Sequence, residues 1–235
     1  DVYKRQHLST AFIACCYILY VALRYKHFGA ETRADLPYRK TAFGLGLLIL
    51  VQIIWGAFVA GLKAGWVHNT WPLMDGSIIS PAATAMEPLI ANFFEGKSGV
   101  QFVHRTLGLL IVILVGLLFK KSLVKEVRIK QPMLLVSGAV LVQFTLGVLT
   151  LLLEVPLSLG VIHQVMALIV LLTIVNLYFL SFSPIGTPNI NLKKITYILD
   201  SDTVYRVDFF FKFRWGVPMF WTFSQMMYNV LCYDP

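Results

Sequence analysis

Residues 100–121 read VQFVHRTLGLLIVILVGLLFKK, placing His104 and Arg105 just inside an apolar run that ends on Lys120 and Lys121. Such a run is close to the roughly 20 apolar residues that a helix needs to cross a bilayer. The pattern recurs, because His7 and His163 also sit a few residues inside long apolar runs. In all three runs a small residue follows the histidine four positions on: Ala11, Gly108 and Ala167. One turn of helix separates i from i+4, so each imidazole has cleared space on its own face. Working outward, the chain reads as five spanning helices, at about 8–24, 41–62, 100–121, 133–153 and 158–182. The expected fold class is an all-α polytopic membrane helix bundle. If the helices alternate in direction, the three histidines lie at one membrane depth on one side.

Composition agrees with that class. Of 235 residues, 57% are hydrophobic and only 14% charged, and the mean hydropathy of +0.72 is far outside the range of soluble domains. The net charge of +8 does not point to nucleic acid, because the bases gather in short inter-helix loops and at the tail, where they act as topology determinants. Cys15 and Cys16 fall in the first apolar run and Cys232 near the end. Neither a disulfide framework nor a CxxC metal site is indicated.

Basic residues set the orientation. Arg24, Lys26, Arg33, Arg39 and Lys40 follow the first run, and Lys120, Lys121, Lys125, Arg128 and Lys130 follow the third. These loops are expected to be cytoplasmic, or to face the matrix in a mitochondrion. The outer loop 63–99 carries only Lys63 and Lys97 against Asp75, Glu87 and Glu95, and Glu154 to Gly160 holds no base. The histidine ends should therefore face outward. Loop 63–99 is long for a membrane connection, and two readings stay open: a lid or binding loop, or an interfacial cap with Trp and Phe at headgroup level.

An internal repeat links the second and fourth runs. Val51-Gln52-Ile53-Ile54-Trp55-Gly56 recurs as Val142-Gln143-Phe144-Thr145-Leu146-Gly147. Gln and Gly at i and i+4 share a face, where Gly admits another backbone or a flat macrocycle and Gln hydrogen-bonds inside the bundle. Each Gln-Gly run precedes a histidine run, so the first histidine run lacks a partner and the repeat reads as incomplete. The chain begins at Asp1, without Met and with almost nothing before His7, which predicts a further upstream portion. The expected organisation is residues 1–40 as the last helix of an incomplete N-terminal half with its inner loop, 41–183 as a four-helix bundle, and 184–235 as an atypical tail. The stretch Phe209 to Leu231 is apolar but broken by Lys212, Arg214, Gly216 and Pro218; a tail unrelated to the core is favoured over an interfacial or sixth membrane segment.

Ionisable side chains in hydrocarbon are expensive and usually functional, and neutral imidazole is a ready ligand for haem iron. His104 and His163 are the leading metal ligands, with interhelical hydrogen bonding as the plainer alternative. His7 is the third candidate ligand. His27 in a basic loop and His68 in the outer loop read as solvated or interfacial. Arg105 points about 100° away from His104 around the helix; it either reaches haem propionates from the side or snorkels as an interfacial anchor. Gln52 and Gln143 read first as packing glue, and Glu95 as a charge favouring a helix N-terminus.

The run Gly56-Ala57-Phe58-Val59-Ala60-Gly61-Leu62-Lys63-Ala64-Gly65 leads through Asn69-Thr70-Trp71-Pro72-Leu73-Met74 and Asn92-Phe93-Phe94-Glu95 to Val100-Gln101-Phe102-Val103-His104-Arg105. Together with Gly160-Val161-Ile162-His163-Gln164, this resembles the haem A synthase family in its proteobacterial and mitochondrial branch, over roughly residues 7–182. The tail does not resemble it. The resemblance implies eight helices in two similar four-helix halves, of which this chain is similar to helices four to eight: the C-terminal haem-binding half plus one helix. It implies His104 and His163 as the axial pair of a b-type haem (haem b), with Arg105 and Gly108 in the cofactor site. His7 would then bind the iron of the substrate, haem O, in the other half.

The family's catalytic acidic residue has no counterpart here, so no catalytic residue is assigned and the fragment is expected to be inactive. The implied reaction is an oxidoreductase one, converting a methyl group of haem O to the formyl group of haem A for cytochrome oxidase. Implied partners are haem O and haem A, membrane lipid, haem O synthase, cytochrome oxidase assembly factors and a second copy in a homo-oligomer, with no nucleic acid. The implied location is a bacterial plasma membrane or a mitochondrial inner membrane. Loop 63–99 has no cysteine, matching the branch without paired loop cysteines. Two alternatives from other classes remain: a b-type bis-histidine membrane electron carrier, and a non-haem membrane scaffold or transporter.

Overall fold

A computed structural model describes the backbone of residues 2–26, 32–34, 36–124 and 127–184. His27, Lys125 and the tail after Pro184 lie outside the described residues, as do the side chains of His7 and Arg128. Five helices dominate: α1 (Val2–Lys26), α2 (Leu36–Gly61), α3 (Lys97–Ser122), α4 (Val127–Leu152) and α5 (Leu157–Leu180). The described residues also include two three-residue strands, β1 (Thr32–Ala34) and β2 (Phe182–Pro184).

Among the described residues four helical stretches are long and apolar enough to cross a membrane: Tyr38–Gly61, Lys97–Ser122, Ile129–Leu152 and Leu157–Leu180. Helix α1 has 25 residues, but its described apolar stretch, Thr10–Tyr25, is shorter than those four. The chain is a multi-pass membrane protein. Most helix bounds fall within a few residues of the sequence expectation. The largest differences are the starts of α1, expected at about 8 and observed at Val2, and of α4, expected at 133 and observed at Val127, with Pro132 inside the helix. Proline removes the hydrogen bond to the carbonyl four residues back, and its ring crowds that carbonyl. At Pro132 that carbonyl belongs to the first turn of the helix, so the helix tolerates the loss.

Helices α2, α3, α4 and α5 close a ring, each packing on the next and α5 returning to α2, while α1 lies against α5 and α2. The packed core sits in one half of this ring. It consists of Ala42, Leu45 and Ile49 on α2, Ile111 and Val115 on α3, Ile129 to Val140 on α4, and Val170 to Leu177 on α5. These positions come from the first halves of α2 and α4 and the second halves of α3 and α5, as alternating helix directions require. In the other half the first turn of α3 is buried under the α2–α3 connection (Ser98, Val100 and Gln101), while the side chains at 102–105 of α3 and 163–166 of α5 are only part-buried. The histidines lie in this second half.

The connection between α2 and α3 folds over that end. It contains three short 3-10 turns, Ala64–Trp66, Pro81–Thr84 and Leu89–Phe93, and all three pack on α3. Asn92, 0% exposed, organises it. Its amide donates to the carbonyls of Met86 and Leu89 at 2.8 and 2.9 Å and accepts from the Met86 N–H at 2.8 Å. A Cβ at Gly99 would collide with the Asn92 backbone oxygen, so glycine there lets the connection lie directly on the first turn of α3. Phe94 completes an aromatic cluster with Trp55 at 5.4 Å and Phe58 at 6.4 Å, fixing the connection to α2.

Candidate functional site

His104 enters the ring near the start of α3 and His163 near the start of α5. Each imidazole rests on a glycine of the preceding helix. A Cβ at Gly56 would lie 3.1 Å from His104 Cε1, and one at Gly147 would lie 2.9 Å from His163 Cε1. The glycines of the sequence repeat are therefore the positions where imidazoles enter. Both Nδ1 atoms are buried without a hydrogen-bond partner.

The repeat's glutamines sit beside the same histidines. Gln52 Nε2 donates to the His104 backbone carbonyl at 3.0 Å, whereas Gln143 Nε2 lies 3.4 Å from His163 Nε2. The Oε1 atoms of both amides are buried and unpartnered. Gly108 also acquires a specific neighbour, since a Cβ there would meet Gln52 Nε2 at 3.3 Å. The space that glycine clears on α3 accommodates the Gln52 amide.

The long connection builds a different kind of site. His68 is 6% exposed, which corrects the expectation of a solvated or interfacial residue. Its Nδ1 pairs with Asp75 Oδ2 and its Nε2 with Ser98 Oγ at 2.9 Å. Its backbone carbonyl accepts from Gln101 Nε2 at 3.2 Å and from an Arg105 terminal N–H. Ser98, Gln101 and Arg105 are spaced i, i+3, i+7 along one face of α3, a polar stripe devoted to His68. That spacing was readable in the sequence; its buried partner, 30 positions earlier than Ser98, was not. Arg105 also donates to the Leu73 carbonyl at 3.4 Å, and its guanidinium stands 5.9 Å from the Trp71 ring centre. Trp71 in turn meets Phe144 of α4 edge-on at 5.6 Å, and Asn69 donates to the Leu151 carbonyl at 2.8 Å. The hydrogen bond from His68 holds the Asp75 carboxyl below the ordinary carboxylate value of 3.8, aided by the charge of Arg105.

Among the described residues no group of three or more His, Cys, Asp or Glu side chains could hold a metal. Two imidazoles complete an iron's coordination when the ligand brings the other donors, as a porphyrin does with its four nitrogens. The residues present fit such a group: two neutral-capable imidazoles with unpartnered nitrogens, glycines beside them, and part-buried surroundings between helices.

The COX15-CtaA family, described as cytochrome oxidase assembly protein, matches residues 2–175. The chain belongs to this family. It is similar to the heme A synthase of Flavobacterium psychrophilum, 47% identical over 171 residues, covering 71% of this chain and 50% of that protein. It is also similar to the heme A synthases of Wolbachia pipientis wMel, 39% identical over 75% of this chain and 49% of the relative, and of Brucella anthropi, 39% identical over 70% and 46%. The chain thus spans about half the length of the curated relatives it matches. No solved structure matches it.

Proposed function

We propose that this family member forms the b-type haem-holding bundle of a haem A synthase, with His104 and His163 as axial ligands. The observation that carries the reading is the pair of buried, unpartnered Nδ1 atoms on two helices of one ring, in the half without a packed apolar core. An orphaned buried polar atom is costly unless a ligand satisfies it. Haem, when bound, would supply a redox-active iron held by His104 and His163, which suits electron transfer rather than oxygen activation.

The chain's own residues bind and orient. Gly56 and Gly147 admit the imidazoles, Gly108 admits the Gln52 amide, and Arg105 secures the connection above the slot while contributing positive charge near the propionate end. The full activity proposed is oxidation of a haem O methyl group to the formyl group of haem A, and His7 is the proposed ligand to that substrate. Conversion is not expected from the residues in hand, none of which is assigned as catalytic. Haem O synthase, cytochrome oxidase assembly factors and a second copy of the chain are the proposed partners. The histidine end is proposed to face the periplasm or intermembrane space, because Arg24, Arg39, Lys40, Lys120, Lys121 and Lys130 cluster toward the opposite end.

The test is the optical spectrum, oxidised and dithionite-reduced, of the detergent-purified chain beside His163→Ala. A six-coordinate b-type spectrum that collapses in the variant supports the assignment. A colourless protein with intact helices by circular dichroism overturns it. Haem A formation by the purified chain with an electron donor would overturn the expectation of no conversion.

A further inference from the structure

The two halves of the repeat treat their histidines differently. Gln52 and Gln143 occupy equivalent places, four residues before Gly56 and Gly147, and each glycine touches the Cε1 of the following helix's histidine. Yet Gln52 grips the main chain of α3 at the His104 carbonyl, while Gln143 lies against the His163 ring at Nε2. The residue one turn after each histidine gives a physical reason. On α3 it is Gly108, where a Cβ would already stand 3.3 Å from the Gln52 amide nitrogen. On α5 it is Ala167, which carries the methyl group that Gly108 lacks. The amide reaches the backbone carbonyl where that flank is bare and turns to the ring where it is not.

Resting on the bis-histidine haem reading, we propose that the Gln143 side chain is a positioning group that fixes the rotation of the His163 imidazole, while the Gln52 side chain fixes helix α3 at the His104 carbonyl instead of reaching the His104 ring. The choice between them is set by the small residue at 108 or 167. A hydrogen-bonding partner on the second nitrogen of a ligating imidazole fixes its tautomer and plane and changes its basicity. The amide presents either a donor or, turned over, the unpartnered Oε1 acceptor, so it serves whichever nitrogen carries the proton. The two histidines are therefore unequal in their side-chain partners: the Gln143 amide meets the His163 ring, the Gln52 amide the His104 backbone.

The experiment uses the full chain loaded with b-type haem, read by the low-field g value of the oxidised low-spin haem in electron paramagnetic resonance and by potentiometric titration. Gln143→Met, which keeps the volume and removes the hydrogen-bonding amide, should move both the g value and the midpoint potential while haem stays bound. Gln52→Met, which loosens α3 without removing an amide from a ring, should move both clearly less. The decisive variant is Ala167→Gly, which keeps every amide: baring the flank should let Gln143 return to the His163 carbonyl and reproduce the Gln143→Met signature. Gly108→Ala should do the reverse, turning Gln52 onto the His104 ring and shifting the g value without loss of Gln52.

The proposal is overturned if Gln143→Met or Ala167→Gly retains haem with unchanged g value and potential. It is equally overturned if Gln52→Met shifts them as much as Gln143→Met does. Should Gln143→Met fail to fold, Ala167→Gly decides alone, since it adds no polar group and deletes none. Failure of the haem reading itself is distinct: the unsubstituted chain would then lack any low-spin bis-histidine signal.

Discussion

His68 and the pair His104 and His163 are the same residue type in one small bundle, yet their surroundings are opposite. Both ring nitrogens of His68 are engaged, by Asp75 and Ser98, and its carbonyl takes two further donors from α3. His104 and His163 each keep a buried Nδ1 with no partner. The saturated histidine holds a connection in place, because every polar atom it buries is already satisfied by the protein. The pair with unpartnered ring nitrogens is what the proposed haem site requires, although Trp55 Nε1, Gln101 Oε1 and Arg105 Nε are also buried without a partner. Histidine count alone therefore says little, and hydrogen-bond saturation separates the roles.

The largest effect that sharpens this contrast is on pigment. His104→Ala or His163→Ala should each abolish the six-coordinate b-type spectrum, whereas His68→Ala should leave the axial ligation intact and loosen the connection; optical spectra of the three variants check this. Retention of the band in His163→Ala would erase the distinction. Next in size is Asn92→Ala, which strips partners from the Met86 N–H and from the carbonyls of Met86 and Leu89. Leaving buried groups unsatisfied costs about 1–3 kcal/mol each. Limited proteolysis should then cut the 62–96 connection sooner than in the unsubstituted chain, with α2 to α5 still intact.

Gly147→Ala should come third. Its Cβ would fall 2.9 Å from His163 Cε1, against 3.1 Å for Gly56→Ala and His104, and overpacking of this kind costs about 1–3 kcal/mol. Haem occupancy and melting temperature in detergent should fall more for Gly147→Ala than for Gly56→Ala. The smallest effect is one of pH. Because the hydrogen bond from His68 lowers the Asp75 pKa below 3.8, the carboxylate stabilises the folded connection above that value, and the contribution is lost as pH falls through the lowered one. Hydrogen exchange at the Asp75 amide, which donates to Thr70 Oγ1 at 2.8 Å, should accelerate relative to the rest of the connection in that acid range. Asp75→Asn should remove the dependence.

Much of the candidate site was legible because it is written in local spacing. The Gln-Gly repeat on α2 and α4 and the histidines at the starts of α3 and α5 are periodic features of single helices, and a helix fixes which residues share a face. The repeat even carried the right pairing, since each Gln-Gly helix precedes the histidine helix it serves. His68 was misread because its burial depends on Ser98, Gln101 and Arg105 coming to it from another element. The asymmetry between Gln52 and Gln143 was equally hidden: identical motifs take different partners according to Gly108 and Ala167 on a neighbouring helix.

The sequence by itself determined the membrane class, the helices among the described residues with their approximate bounds, the repeat, and the histidines proposed as iron ligands, because hydrophobic length and helical period are properties of contiguous chain. Only the tertiary structure decided which half of the ring is packed and which surrounds the histidines, which histidine is saturated, and where each glutamine amide goes. Those outcomes depend on a few tenths of an ångström between side chains on different helices, distances that no one-dimensional pattern encodes.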